Sequence, residues 1–138
     1  MAARRIDVQE IDPRDPSGRW RKALEHLDMM KSALLARSFN TAAHLGIQAV
    51  IAACDAFTIS HLGKQCSSDR HEDAIEVFRR VRTIRGVDDA IHHMERVLKA
   101  KRWIDYSGQY PRPDESERTC QHAERFVEFV GRNLNADR

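Results

Sequence analysis

The sequence predicts an all-α protein, an up-and-down bundle of four to five antiparallel helices, on three observations. Apolar residues recur at spacings of three and four over five separate stretches. Short polar links rich in Gly, Pro, Ser and Asn separate those stretches. No two alternating apolar–polar runs are placed to form a strand pair, and no internal repeat is present. The 138 residues, 41% hydrophobic and 32% charged, fit one domain with one core, divided into an arm over 1–16 and a bundle over 17–134.

In the arm, Pro13 and Pro16 stop regular structure, and the run IDVQEID reads as a short extended piece. The first helix follows Ser17 and ends near Ala36, with Trp20, Leu24, Leu27, Met30 and Leu34 as its inner stripe. A short link, Arg37 to Asn40, leads into the second, which runs to about Leu62, with Gly63 as its stop. Residues 41–63 contain one formal charge, Asp55, as expected of a buried central helix. A stripe of small residues, Ala42, Gly46, Ala49, Ala53 and Ala56, invites close approach by another helix, within the chain or across a dimer.

Ser67, Ser68 and Asp69 are N-cap candidates for the third helix, whose inner face is Ala74, Ile75, Phe78, Val81 and Ile84, with Gly86 as its end. The charge gradient along it, from Glu72, Asp73 and Glu76 to Arg79, Arg80, Arg82 and Arg85, suits the helix dipole with a Glu76–Arg80 pair; the other reading is a phosphate-contacting patch. Asp88 caps the fourth helix, which turns Ile91, Met94 and Leu98 inward and runs to Tyr106. Asp114 and Glu117 make a capping-box pattern for the fifth, which buries Ala123, Phe126, Val127, Val130 and Leu134.

Strict alternation of direction would bring the end of the second helix, the start of the third, the end of the fourth and the start of the fifth together. Four polar residues are expected there: Asp55, His71, Lys101 and Tyr106. Lys101 occupies the Ile91–Met94–Leu98 seam where an apolar residue was due. Two readings are open. The four make a hydrogen-bonded network that pins the bundle, or they line a polar pocket for an anionic or nucleotide-like ligand.

Composition excludes several classes. Twenty-three Lys+Arg against 21 Asp+Glu leave a net charge of +2, too balanced for a coat on a polyanion. The most apolar run, around 47–56, is broken by Gln48 and Asp55, so no membrane span is expected, and the N-terminus lacks the apolar segment of a secretory signal. The odd set Cys54, Cys66 and Cys120 fits a reducing cytoplasm. No cofactor motif occurs. His61, Cys66 and His71 are spaced too widely for a usual zinc site, so no metal is expected, and Trp103 and Tyr110 read as packing residues.

The run NTAAHLGIQAVIAACDAFTISHLGKQCSSDRHEDAIEVF, followed by LKAKRWIDYSG and AERFVEFV, resembles a branch of the HEPN superfamily of small helical bundles, over about residues 20–131. The resemblance implies a homodimer and a binding or interaction module for RNA or nucleotide, in some members accompanied by an antitoxin or a nucleotidyltransferase. In its nuclease branch it implies a metal-independent endoribonuclease. That branch carries Arg-x4–6-His, in which Arg stabilises phosphorane charge and His moves a proton. The best-placed match here is Arg85 with His92. Four matches occur, yet 18 Arg and 7 His placed at random give about three, so the motif alone carries little weight. The expectation is therefore a non-catalytic module with Asp55, His71, Lys101 and Tyr106 as its ligand residues, and the alternative is a ribonuclease.

Overall fold

The computed structural model describes residues 5–134, in the order β1 (Val8–Glu10), α1 (Ser17–Leu35), α2 (Phe39–Leu62), β2 (Lys64–Cys66), α3 (His71–Arg79), α4 (Val87–Tyr106) and α5 (Pro113–Asn133). It is an all-α bundle carrying one small two-stranded ribbon. The expected absence of a strand pair is corrected: β1 and β2 pair antiparallel, with Val8 opposite Cys66 and Glu10 opposite Lys64. Three residues a side make too weak a periodic signal to read in advance, and such a ribbon is not stable alone. It is held by the Ile11 amide donating to the Gly63 carbonyl at 2.8 Å.

Helix α2 is the core. Ala42, Ala49, Ala53, Ala56, Ile47, Val50, Phe57 and Ile59 are fully buried, because α1 and α5 close over it on adjacent sides. By length and composition α2 could cross a membrane, but most of its apolar stretch lies buried inside the bundle. Gly46 shows why the small-residue stripe exists. A Cβ there would stand 3.1 Å from Met30 Sδ on α1 and 3.4 Å from Ala123 Cβ on α5. The stripe is consumed within the chain, which removes it as a dimer face. On α1 the inner stripe is Ala23, Leu27, Met30 and Ala33, while Leu24 is 42% exposed. The small Ala23 lets α1 approach α2, and Leu24 sits 100° further round.

Helix α3 is shorter than expected. It ends at Arg79 instead of Gly86, and its last bonds tighten to i→i−3 spacing, Arg80 to the Val77 carbonyl and Val81 to that of Phe78. Nine residues do not make a stable helix alone. Tertiary contact holds this one: the Phe78 ring stacks 4.5 Å from Phe57 and lies 5.3 Å from Phe126. Val81 still reaches the core, from the turn. Gly86 then adopts φ +92°, and a Cβ there would meet the Phe129 ring at 3.2 Å.

The expected caps are also revised. Arg70, Gly86 and Arg112 occupy the N-cap positions of α3, α4 and α5. The Ser68 hydroxyl works one step removed, donating to Asp73 and accepting from the Arg70 amide. Asp114 pairs with Arg112 and Arg118 in place of a capping box, and Glu76 pairs with Arg79, one residue before the expected Arg80.

The ribbon alters the order of directions. After Gly63, β2 and residues 67–70 lead the chain back alongside α2, so α3 starts beside Ile51 and Asp55 and rises with α2. Helix α5 also runs parallel to α2. Ser116 Oγ donates to the Phe39 carbonyl at their starts (2.7 Å), and His61 Nε2 meets the Asn133 carbonyl at their ends. Helix α4 runs against both, its Asp105 touching His44 near the start of α2. The end of α4 and the start of α5 therefore lie opposite the end of α2, where strict alternation had them together.

Candidate functional site

Asp55, His71 and Lys101 do meet, through the side of the bundle and not its end. They line one cavity of about 220 Å³ between α2, the 67–70 loop, α3 and α4, with Ile51, Met94 and Leu98 as its apolar wall. Helix α2 supplies Asp55 on its least covered side, the first residue of α3 supplies His71, and the α4 seam supplies Lys101. Tyr106 stays outside, 75% exposed, its ring 5.8 Å from the Lys101 ammonium.

The expected hydrogen-bonded network among the four does not form. Lys101 Nζ turns to Asp105 Oδ2 (3.6 Å), whose other oxygen meets His44 Nδ1 at 3.0 Å. That triad, and not the expected four, ties α4 to α2. Neither His44 nor Asp105 was expected as a site residue, although the i,i+4 spacing of Lys101 and Asp105 was a readable sign.

Asp55 accepts no hydrogen bond on its carboxyl from a described residue. Burial among apolar walls pushes its pKa up to about 7, and the field of Arg19, itself bonded to Gln65, only partly opposes this. Burial and the neighbouring Lys101 charge lower the His71 pKa, so that ring is neutral near pH 7. The Cys54 and Cys66 thiols on the same cavity are held above their ordinary pKa by burial and are protonated. The cavity thus pairs a partnerless acid inside with the exposed Asp69 and Arg70 at its mouth.

A second candidate surface was missed in the sequence. Along the outer side of α4, Arg96, Lys99 and Trp103 share one face with Arg118 and His122 of α5, around a groove of about 400 Å³. Trp103 is 36% exposed, which corrects its reading as a packing residue. Tyr110, 65% exposed, keeps a structural bond, its hydroxyl accepting from the Phe39 amide at 3.1 Å. Further along the same two helices a cavity of about 380 Å³ gathers Arg85, His93, Arg125 and Arg132 with Asp89 and Glu128. Arg85, Arg96, Lys99, Arg125 and Arg132 form no ion pair with another described residue.

Between the two hollows, His93 Nδ1 and His122 Nδ1 approach to 2.9 Å, and the His92 ring lies 5.9 Å from His93 and 6.2 Å from His122. Burial, then surrounding positive charge, lowers the pKa of both His93 and His122. His92 itself is exposed and does not share a cavity with Arg85; His93 does. Cys66, in the ribbon, and His71 line the same cavity while His61 turns to the Asn133 carbonyl, and the described residues hold no group of three or more ligands suited to a metal. No protein-family model and no curated protein matches this chain.

Proposed function

We propose that the chain is a HEPN-like, non-catalytic RNA-binding module whose α4–α5 face holds a single strand. The observation that carries this is the half-exposed Trp103 set among Arg96, Lys99 and Arg118, continued by Arg125, Arg132 and Arg85, with most of these cations lacking an acidic partner. Unpaired guanidinium and ammonium groups along a groove track a phosphate backbone, and a half-exposed indole offers a stacking surface for a base. The overall charge of +2 does not oppose the reading, because the two hollows on this face are lined by six cations, Arg96, Lys99, Arg118, Arg85, Arg125 and Arg132, against three acids, Glu115, Asp89 and Glu128.

Fluorescence anisotropy on a labelled single-stranded RNA tests it. Charge reversal in an Arg96→Glu, Lys99→Glu variant is expected to weaken binding more than tenfold and to lower the salt slope by about 1.4, at roughly 0.7 for each phosphate no longer neutralised. Trp103→Ala is expected to weaken it by about 1–3 kcal/mol with the slope unchanged. Full retention of affinity in both variants would overturn the proposal.

A second reading, a metal-independent endoribonuclease, is favoured by one observation: Arg85 and a histidine share a cavity with two further arginines. The histidine is His93, next to the His92 of the sequence motif. RNA cleavage in EDTA that is lost in His93→Ala and kept in His92→Ala would establish it; absence of cleavage, or equal cleavage by wild type and both variants, would eliminate it.

A further inference from the structure

We infer that the cavity between α2, α3 and α4 is a binding site for a free amino acid with a cationic side chain, of arginine type. The site is independent of the RNA-binding face. Its volume, about 220 Å³, is below the range of drug-sized ligand pockets, so the occupant is a small metabolite and not a whole nucleotide.

The polar groups are arranged in depth. Inside stands the Asp55 carboxyl, which no described hydrogen-bond donor satisfies. A buried carboxyl group is costly unless a donor meets it, and a guanidinium meets a carboxylate with two parallel N–H bonds. Beside Asp55 the cavity wall is Ile51, Met94 and Leu98, which suit a methylene stem. At the exposed edge are one acid, Asp69, and one cation, Arg70, which also pairs with Glu72 at 3.4 Å, and the half-buried Lys101 lines the same cavity. That is the complement of an α-amino acid head group, ammonium toward Asp69 and carboxylate toward Arg70 and Lys101. A phosphate dianion would instead share the cavity with two carboxyl groups, Asp55 and Asp69, which argues against a nucleotide.

In the bound state the guanidinium adds a close counter-charge to the field of Arg19, so Asp55 binds as the carboxylate. Lys101 lines the cavity while its ammonium is held 3.6 Å from Asp105.

Isothermal titration and thermal-shift measurements on the full chain at pH 7.5 test this with four probes: L-arginine, L-lysine, agmatine and L-citrulline. L-arginine is expected to bind and raise the melting temperature. Agmatine, lacking the carboxylate, and citrulline, lacking the cation, are expected to bind at least about tenfold more weakly, and L-lysine to fall between. Asp55→Asn keeps the volume while removing the charge, and is expected to lose L-arginine binding by at least about tenfold while melting no lower than wild type. Failure of L-arginine to bind, equal binding of citrulline, or unchanged affinity in Asp55→Asn overturns the assignment. Because none of these probes is a polyanion, the outcome is read separately from RNA binding at the α4–α5 face.

Discussion

Asp55 shows how a single side chain can be legible in composition and still be misjudged in role. One charge in 23 residues of central helix draws attention at once. The reading that follows, a buried carboxylate that needs a partner, holds as physics but not as geometry, because a cavity takes the partner's place. Its stability effect follows in sign from a pKa raised to about 7 above the ordinary 3.8. The native state keeps the proton through a range where the unfolded chain has lost it, so stability is fullest below pH 4 and declines as pH rises toward 7. Asp55→Asn is therefore expected to stabilise the protein by about 2 kcal/mol at pH 8 and by little near pH 4, read from urea unfolding at both values. A gain of equal size at both would mean that the charge is not responsible. Tyr106 failed as a site residue for a reason that can be counted: it lies five positions after Lys101, about 140° around α4, and so faces solvent. Trp103, by contrast, carries a readable sign. Arg96, Lys99 and Trp103 follow at i, i+3 and i+7, and Arg118, His122 and Arg125 at i, i+4 and i+7 on the next helix. Glu95, Glu117 and Glu124 between them balance the count and hide the face.

At the level of elements, α2 and α5 were legible because each carries a long, regular apolar pattern that only burial explains. Their partners were less so. The closeness of α1, α2 and α5 rests on Gly46, whose missing side chain leaves room for Met30 and Ala123. Gly46→Val is expected to destabilise by about 2–3 kcal/mol, measured as a lower urea midpoint at unchanged m-value, because the Met30 sulfur and the Ala123 Cβ crowd the added side chain and Ala123 cannot yield without moving α5. An unchanged midpoint would show that Met30 alone absorbs the bulk. The ribbon depends on Gly63 in the same way. Its φ is +65°, and a Cβ would stand 3.0 Å from Pro13 Cγ and 3.3 Å from the Ile11 carbonyl. Gly63→Ala is expected to cost about 1–2 kcal/mol, with amide exchange at Val8–Glu10 and Lys64–Cys66 speeding up before that of α2. Uniform acceleration across the whole chain would instead make the ribbon part of the global unit. The length of α3 went unread because Val81 and Ile84 continue the helical spacing; nothing local marks the point where the chain has to leave α2 and cross to α4.

Across the whole molecule two titrations act in opposite directions. The pKa values of His93 and His122 are lowered, by burial first and then by surrounding charge: Arg125 and His92 on His93, opposed by Asp89, and His93, His92, Arg96 and Arg125 on His122. His71 shifts the same way. A histidine whose pKa is depressed on folding takes up its proton later than it does in the unfolded chain, so stability is lost as pH falls through 6.5 and below. Asp55 removes stability from the other side, as pH rises from 4 toward 7. The folded state is expected to be most stable between about pH 5.5 and 6.5, and His93→Gln with His122→Gln is expected to flatten the acid side alone in thermal unfolding monitored from pH 4.5 to 8. If the acid side stays as steep, other groups are responsible for it. The sequence by itself determined what depends on short-range periodicity: five helical stretches, the buried identity of α2, most core positions, and the Asp55, His71 and Lys101 that line one cavity. Tertiary structure alone decided which ends face each other. A three-residue ribbon after Gly63 reverses the chain and sends α3 up beside α2, and pairing energy of that kind comes from residues more than fifty positions apart, which no local pattern records. With that reversal the polar residues meet at the side of the bundle and not at its end, and the basic residues of α4 and α5 align into one face.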